Sequence, residues 1–187
     1  WHRNGQKKQY VSGIVNISVS DNGVIQSDYC LTPSSGADGY FLECGLTLKL
    51  DSIFDTFRWL GEGPFTYTPG KTMYNKRNCW ALHKNDLRFI GNRGLVDIAV
   101  ATDKQRGIGL WSDNGNIGVE NINGSIYISQ NAIVTGYGSK FTAPQKRKTM
   151  DNLKEIKGTL LLFIDDPMYP ISFWESIFKP YQTIVPE

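Results

Sequence analysis

Apolar and polar residues alternate along most of this chain, and the period is two. From Val11 to Val19, the residues Val11, Val15, Ile17 and Val19 fall on one side, with Ser12, Asn16 and Ser18 on the other. That pattern predicts a half-buried strand. Asp21-Asn22-Gly23 follows as a hairpin turn, because Asn and Gly tolerate positive φ, and Val24 to Leu31 reads as the return strand. Leu42 to Leu50 alternates with one wet face. Ile53 to Leu60 is a further strand that runs into a Gly- and Pro-rich loop from Gly61 to Lys71. Tyr74 to Arg88 shows no clear period and reads as irregular.

The second half keeps the rhythm. Leu95 to Thr102, Ile108 to Trp111, Ser125 to Ser129 and Ala132 to Thr135 read as strands. Asp113-Asn114-Gly115 and Asn123-Gly124 read as hairpin turns. The unbroken run Leu160-Leu161-Leu162-Phe163-Ile164 predicts a strand covered on both faces. Helical signal is confined to Lys148 to Ile156, and to Ile171 to Phe178 between Pro170 and Pro180. Many short strands with closely spaced turns predict an all-β fold, a two-sheet antiparallel β-sandwich with little helix, spanning residues 1–187 as one domain.

Composition changes this picture little. A chain of 187 residues that is 40% hydrophobic can bury about 70% of the surface its unfolded form exposes. The net charge of +2, from 20 basic against 18 acidic residues, creates no field that would gather nucleic acid. The basic stretch Lys140 to Lys148 reads as a solvated loop. No apolar run approaches the roughly 20 residues that cross a bilayer, so no membrane insertion is expected. Trp1 to Tyr10 is polar and basic and begins without Met, which suggests an excised domain or mature fragment. Cys30, Cys44 and Cys79 have no metal spacing and read as buried structural thiols.

Two segments carry a resemblance. Arg58-Trp59-Leu60-Gly61-Glu62-Gly63-Pro64, closing with Pro69-Gly70-Lys71, is similar to the tryptophan-glycine-x-glycine-proline loop of family 2 glycoside hydrolases. Gly91-Asn92-Arg93-Gly94-Leu95-Val96-Asp97-Ile98 resembles that family's glycine-asparagine-arginine segment leading into a strand. Asp103 to Leu110 and Leu42 to Leu50, with Gly45 at its centre, are similar to two neighbouring family strands. In the family these lie in the last domain of β-galactosidases, a galactose mutarotase-like sandwich. The resemblance covers roughly Val11 to Trp111. Phe65 to Lys71 departs from it, lacking the family's acidic residues and arginine.

The resemblance implies an accessory domain that packs on other domains of a parent hydrolase and shapes the rim of its active site. Family catalysis uses two glutamates on a (β/α)8 barrel, and the present chain has no alternating strand-helix pattern. Its carboxylates Glu43, Glu62, Asp86, Asp97, Asp113, Glu120 and Glu155 are dispersed, whereas glycoside hydrolysis needs two placed about 5–9.5 Å apart. The expectation is therefore that the isolated chain hydrolyses nothing and needs no cofactor.

Other chemistries have thinner support. An epimerase would need His83 to meet a carboxylate, and His83 has no partner recognisable in sequence. Asp21-Asn22 and Asp113-Asn114 could donate oxygens to calcium, but turns explain them. Neither a nucleophile elbow nor a phosphate loop is present. Sugar binding is the more natural alternative, through aromatic faces flanked by amides and carboxylates. Trp80, Trp111, Tyr137 and Trp174 lie in or beside loops. Trp111 with Asp113, Asn114 and Tyr137 forms the candidate carbohydrate contact, and Trp59, Gly61, Gly63, Pro64, Gly91, Asn92 and Arg93 form the family-motif loops. An accessory domain predicts an exposed apolar docking patch. A true carbohydrate-binding module predicts a shallow groove lined by exposed Trp or Tyr.

Overall fold

Strands β1 (Val11–Val19) and β2 (Val24–Pro33) form the hairpin that the Asp-Asn-Gly turn predicts, with Gly23 at a φ of 77°. In the computed structural model, residues 11–34, 43–67, 74–87, 91–103, 105–134, 153–164, 171–179 and 183–184 are described. Along them follow β3 (Glu43–Lys49), β4 (Thr56–Gly63), β5 (Lys76–His83), β6 (Gly91–Arg93), β7 (Ile98–Thr102) and β8 (Gly107–Ser112). Then come β9 (Ile117–Ile122), β10 (Ser125–Val134), β11 (Ile156–Phe163), helix α1 (Ile171–Phe178) and β12 (Thr183–Ile184).

Among the described residues the strands assemble into two sheets. The large one has eight strands in the order β1-β2-β11-β8-β7-β4-β5-β12, antiparallel except where β12 joins β5 in parallel. The small one has four, in the order β3-β10-β9-β6. The all-β sandwich read from the alternation is the fold of the chain.

Alternation decides which side chains meet between the sheets. Phe57 and Trp59 of β4, Trp80 and Leu82 of β5, Ala99 and Ala101 of β7 and Leu110 of β8 point inward from the large sheet. Ile117, Val119, Ile126 and Ile128 meet them from the small one. Burying each large apolar side chain contributes roughly 1.5–3 kcal/mol. The opposite face of the large sheet is covered by α1, whose Trp174 and Phe178 pack on Leu60, Cys79 and Val100. Glycine makes that contact possible. A Cβ on Gly109 would collide with the Trp174 ring, and one on Gly107 would stand 2.7 Å from its Cδ1.

Several elements differ from expectation for identifiable reasons. The irregular stretch Tyr74 to Arg88 contains β5. Its apolar residues Cys79, Trp80, Ala81 and Leu82 run together because α1 covers one face and the small sheet the other, which erases the period of two. Strand β9 was not anticipated. Ser125 to Ser129 and Ala132 to Val134, expected as separate strands, are one strand, β10, whose register shifts between Asn131 and Ile133; Thr135 lies outside the described residues. A bulge of that kind inserts a residue without ending a strand.

The turn Asp113-Asn114-Gly115 does not close a hairpin. It carries the chain from β8 in the large sheet to β9 in the small one. Asn123 and Gly124, at φ 52° and 83°, do close one. β4 begins at Thr56, since Asp51 caps a turn by accepting the Ile53 N–H at 3.0 Å. β7 begins at Ile98, because Leu95 adopts a φ of 49°. Leu153 to Glu155 is not helical, and Ile156 opens β11. The rest of the helix expected at Lys148 to Ile156 lies outside the described residues, as does the whole basic stretch Lys140 to Lys148. Ile171 to Phe178 is helical as predicted. No described helix is long and apolar enough to cross a membrane.

Candidate functional site

Segments 59–64 and 91–93 meet between the two sheets. Trp59 is fully buried, and its indole N–H donates to the Glu62 carbonyl at 3.0 Å. Trp80 lies beside it with ring centroids 6.3 Å apart and donates to the Gly61 carbonyl at 3.2 Å. Gly63 is pinned under both rings, since a Cβ there would stand 2.7 Å from Trp80 Nε1 and 2.9 Å from Trp59 Cζ2. Pro64 follows through a cis peptide. From the small sheet, Arg93 reaches inward. Its guanidinium is fully buried, lies over the Trp59 ring at 5.3 Å and donates to the Gly91 carbonyl at 3.3 Å.

Beside Arg93 runs a seam of amides. Asn131, at the β10 bulge, donates to Glu43 Oε2 at 3.2 Å and to Asn92 Oδ1 at 3.1 Å. Asn92 donates in turn to Asn116 Oδ1 at 3.1 Å. Asn114 accepts from the Asn116 N–H and from the Ser112 hydroxyl, and donates to the Asn131 carbonyl at 2.8 Å. A second branch runs from the Tyr29 hydroxyl to Gln130 Oε1, and from Gln130 Nε2 to Asp113 Oδ1 at 3.1 Å. Asn92, Gln130 and Asn131 are almost wholly buried. Amides removed from water must bond to one another, and such a network fixes a single arrangement.

Burial also tunes the charges. Desolvation pushes the Glu43 carboxyl above its usual range and Glu120 adds to the effect, while the Asn92 N–H, the Asn131 amide and Arg93 oppose it. Desolvation lowers the Arg93 guanidinium to about 10, with Glu43 opposing, so it remains a cation at neutral pH. Burial raises the Tyr29 hydroxyl, and it pushes the Cys44 thiol up to about 11, so that thiol stays protonated and poorly nucleophilic at neutral pH. The three cysteines are unpaired with one another.

The seam joins residues that the sequence presented as two separate sets. Asn114 shares it with Asn92 through Asn116 and Asn131, and Asp113 joins Gln130 in the second branch. Trp111 does not take part. It stands on the α1 side of the large sheet, opposite Leu161 in register and 37% exposed. Asp113 and Asn114 follow in the turn that carries the chain from the large sheet to the small one. Tyr137 lies outside the described residues. Trp80 and Trp174 are buried in packing. His83 caps a single 3-10 turn at Lys84–Asp86, its Nδ1 accepting the Asn85 N–H at 3.2 Å.

A further surface escaped the sequence reading. On the solvent side of the small sheet, Tyr127 lies in register between Lys49 and Glu120. In the next row, Thr47 and Ser129 share a hydrogen bond of 2.8 Å, and Gly118 stands beside Ser129. Burial pushes the Glu120 carboxyl above its usual range. The signal was present in the alternation. Ile126 and Ile128 point inward, so Tyr127 and Ser129 must point out.

Other carboxylates are paired at the surface, Asp97 with Arg77, Glu155 with Lys157 at 2.7 Å and Asp103 with Arg106 at 3.3 Å. Such exposed pairs contribute little stability. Among the described residues, no group of three or more His, Cys, Asp or Glu side chains could hold a metal ion. No protein-family model matches the chain, and no curated protein matches it.

Proposed function

We propose that this chain is a carbohydrate-associated accessory domain of a β-galactosidase-like glycoside hydrolase, with a mutarotase-like sandwich architecture. The carrying observation is the row Lys49-Tyr127-Glu120 on the open side of the small sheet, backed by the hydroxyls of Thr47 and Ser129. An aromatic face flanked by a cation, a carboxylate and hydroxyl groups suits a sugar ring, which offers C–H surface and hydroxyls together. The resemblance adds to this reading. Its Trp59 and Arg93 segments lock onto one another across the sandwich, which is what motifs that maintain a scaffold do. In a parent enzyme, the polar face would line the rim of a neighbouring site. The same face supports the second reading, an independent carbohydrate-binding module.

A glycan array probed with the intact chain tests the proposal. Galactose-terminated glycans should be retained, and Tyr127→Ala should weaken binding roughly tenfold, equivalent to about 1.4 kcal/mol. Trp111→Ala should bind as the parent chain does. The reading fails if no glycan is retained, if Trp111→Ala is the variant that loses binding, or if the purified chain releases galactose from a galactoside unaided.

A further inference from the structure

Strand β1 is the outermost strand of the large sheet, and one of its edges pairs with β2 over its full length. Every side chain from Ser12 to Val19 is exposed. Ile14, Ile17 and Val19 are 67%, 67% and 68% exposed, and Val15 is 41% exposed. Across its nine residues β1 has no charge and no proline. Natural edge strands are usually blunted by lysine, proline, a bulge or a cover, because free backbone N–H and C=O groups invite another strand. Among the described residues those devices are missing, and apolar side chains flank the open edge on both faces.

The order of residues indicates which strand fits. Val11-Ser12-Gly13-Ile14-Val15-Asn16-Ile17-Ser18-Val19 has the same Val-Ser pair at each end, read inward, and Val15 at its centre. If two copies align antiparallel about Val15, Val11 faces Val19 and Ser12 faces Ser18 at both ends. Gly13 leaves room for Ile17, Ile14 faces Asn16, and Val15 faces itself. Strand parity then keeps Val11, Val15, Ile17 and Val19 of both copies on one side, as a continuous apolar stripe. No like charges oppose each other anywhere in this register.

We propose that β1 pairs antiparallel with β1 of a second copy about a two-fold axis at Val15, joining the two large sheets into one. This closed, isologous contact limits assembly to a dimer. It stands independently of the carbohydrate reading. A single strand pairing is smaller than a standard interface, so the chain should be dimeric at ~100 µM and largely monomeric at ~1 µM.

Sedimentation velocity on the whole 187-residue chain, run across that concentration range, is the test. Val15→Lys and Val15→Glu place like charges against each other on the axis, so each variant should be monomeric alone. An equimolar mixture of the two should dimerise again, because lysine then faces glutamate. Circular dichroism confirms that each variant is folded. If either is not, Ile17→Lys and Ile17→Glu replace them, each expected to weaken the dimer. Hydrogen exchange on the unaltered chain gives an independent readout, with β1 amides more protected at high concentration. A chain that is monomeric throughout, a Val15→Lys variant that still dimerises, a mixture that stays monomeric, open-ended aggregates, or β1 engaging only a different partner would each overturn the proposal.

Discussion

The guanidinium of Arg93 lies over the indole of Trp59, 5.3 Å from the ring centroid, with both side chains sealed from solvent. One residue comes from the small sheet and the other from the large one, so the contact fastens the two layers. A cation held in an apolar interior needs the ring face, the Gly91 carbonyl and the nearby Glu43 carboxylate to offset its desolvation. Arg93→Ala removes all three relationships, leaves a cavity and strips Glu43 of its opposing charge. The expected loss is about 3–5 kcal/mol, read as a lower urea midpoint. Adding Glu43→Gln to Arg93→Ala should recover part of that loss. A loss below about 1 kcal/mol would show the contact to be incidental.

Helix α1 depends on a similar fit. The Trp174 ring lies where Gly109 would carry a side chain, packs edge-on against Phe163 at 6.1 Å, and neighbours Phe178 in the same cluster. Gly109→Val should force the helix off the sheet, expose Trp174 and red-shift its fluorescence. Trp174→Ala should cost roughly 3–5 kcal/mol by cavity formation. If Gly109→Val leaves the emission unchanged, the helix is not seated as described.

Stability should respond to pH through Glu43. Burial raises its carboxyl above the unfolded value, and burial does the same to Glu120. The folded chain therefore binds more protons than the unfolded chain between the ordinary and raised values. Stability attributable to these groups is greatest below the ordinary glutamate range and falls as pH climbs through the raised value. Asp28 works in the opposite sense. The Thr159 hydroxyl and the Gln26 amide hold it below its usual range, so its contribution is lost as pH falls through that lowered value. Glu43→Gln should flatten the decline over the interval that begins as pH climbs above the ordinary glutamate range. Denaturation curves that keep the parental slope across this interval would rule out Glu43 as the source.

Leu95 occupies left-handed backbone at a φ of 49° and is 53% exposed, so little packing offsets its strain. Replacing it with glycine, Leu95→Gly, should stabilise the chain by about 1 kcal/mol. A drop in the thermal midpoint would show that the leucine side chain contributes more than its exposure suggests.

The sandwich was legible because Val11 to Val19, Leu42 to Leu50 and the Asn123-Gly124 turn follow the period and turn chemistry of strands, although β1 is exposed on both faces where its alternation predicted one buried face. Strand β5 was hidden because its two covered faces abolish that period around Trp80. The seam was half visible. Asn92, Arg93, Asp113 and Asn114 stood out in the sequence, but Gln130 and Asn131 meet them only because β10 pairs with β3 and β9, a long-range pairing that no local pattern announces. Trp111 drew attention as an aromatic beside polar residues, yet the chain crosses between sheets immediately after it. Tyr127 was overlooked although Ile126 and Ile128 on either side already fixed its direction.

The open face of the small sheet is tested most directly by nuclear magnetic resonance, titrating the intact, isotope-labelled chain with a galacto-oligosaccharide. Amide shifts should move at Thr47, Lys49, Glu120, Tyr127 and Ser129, while Trp111 and Leu161 stay still. Shifts confined to the Trp111 face, or no shift at all at saturating sugar, would contradict a sugar-binding role for this face.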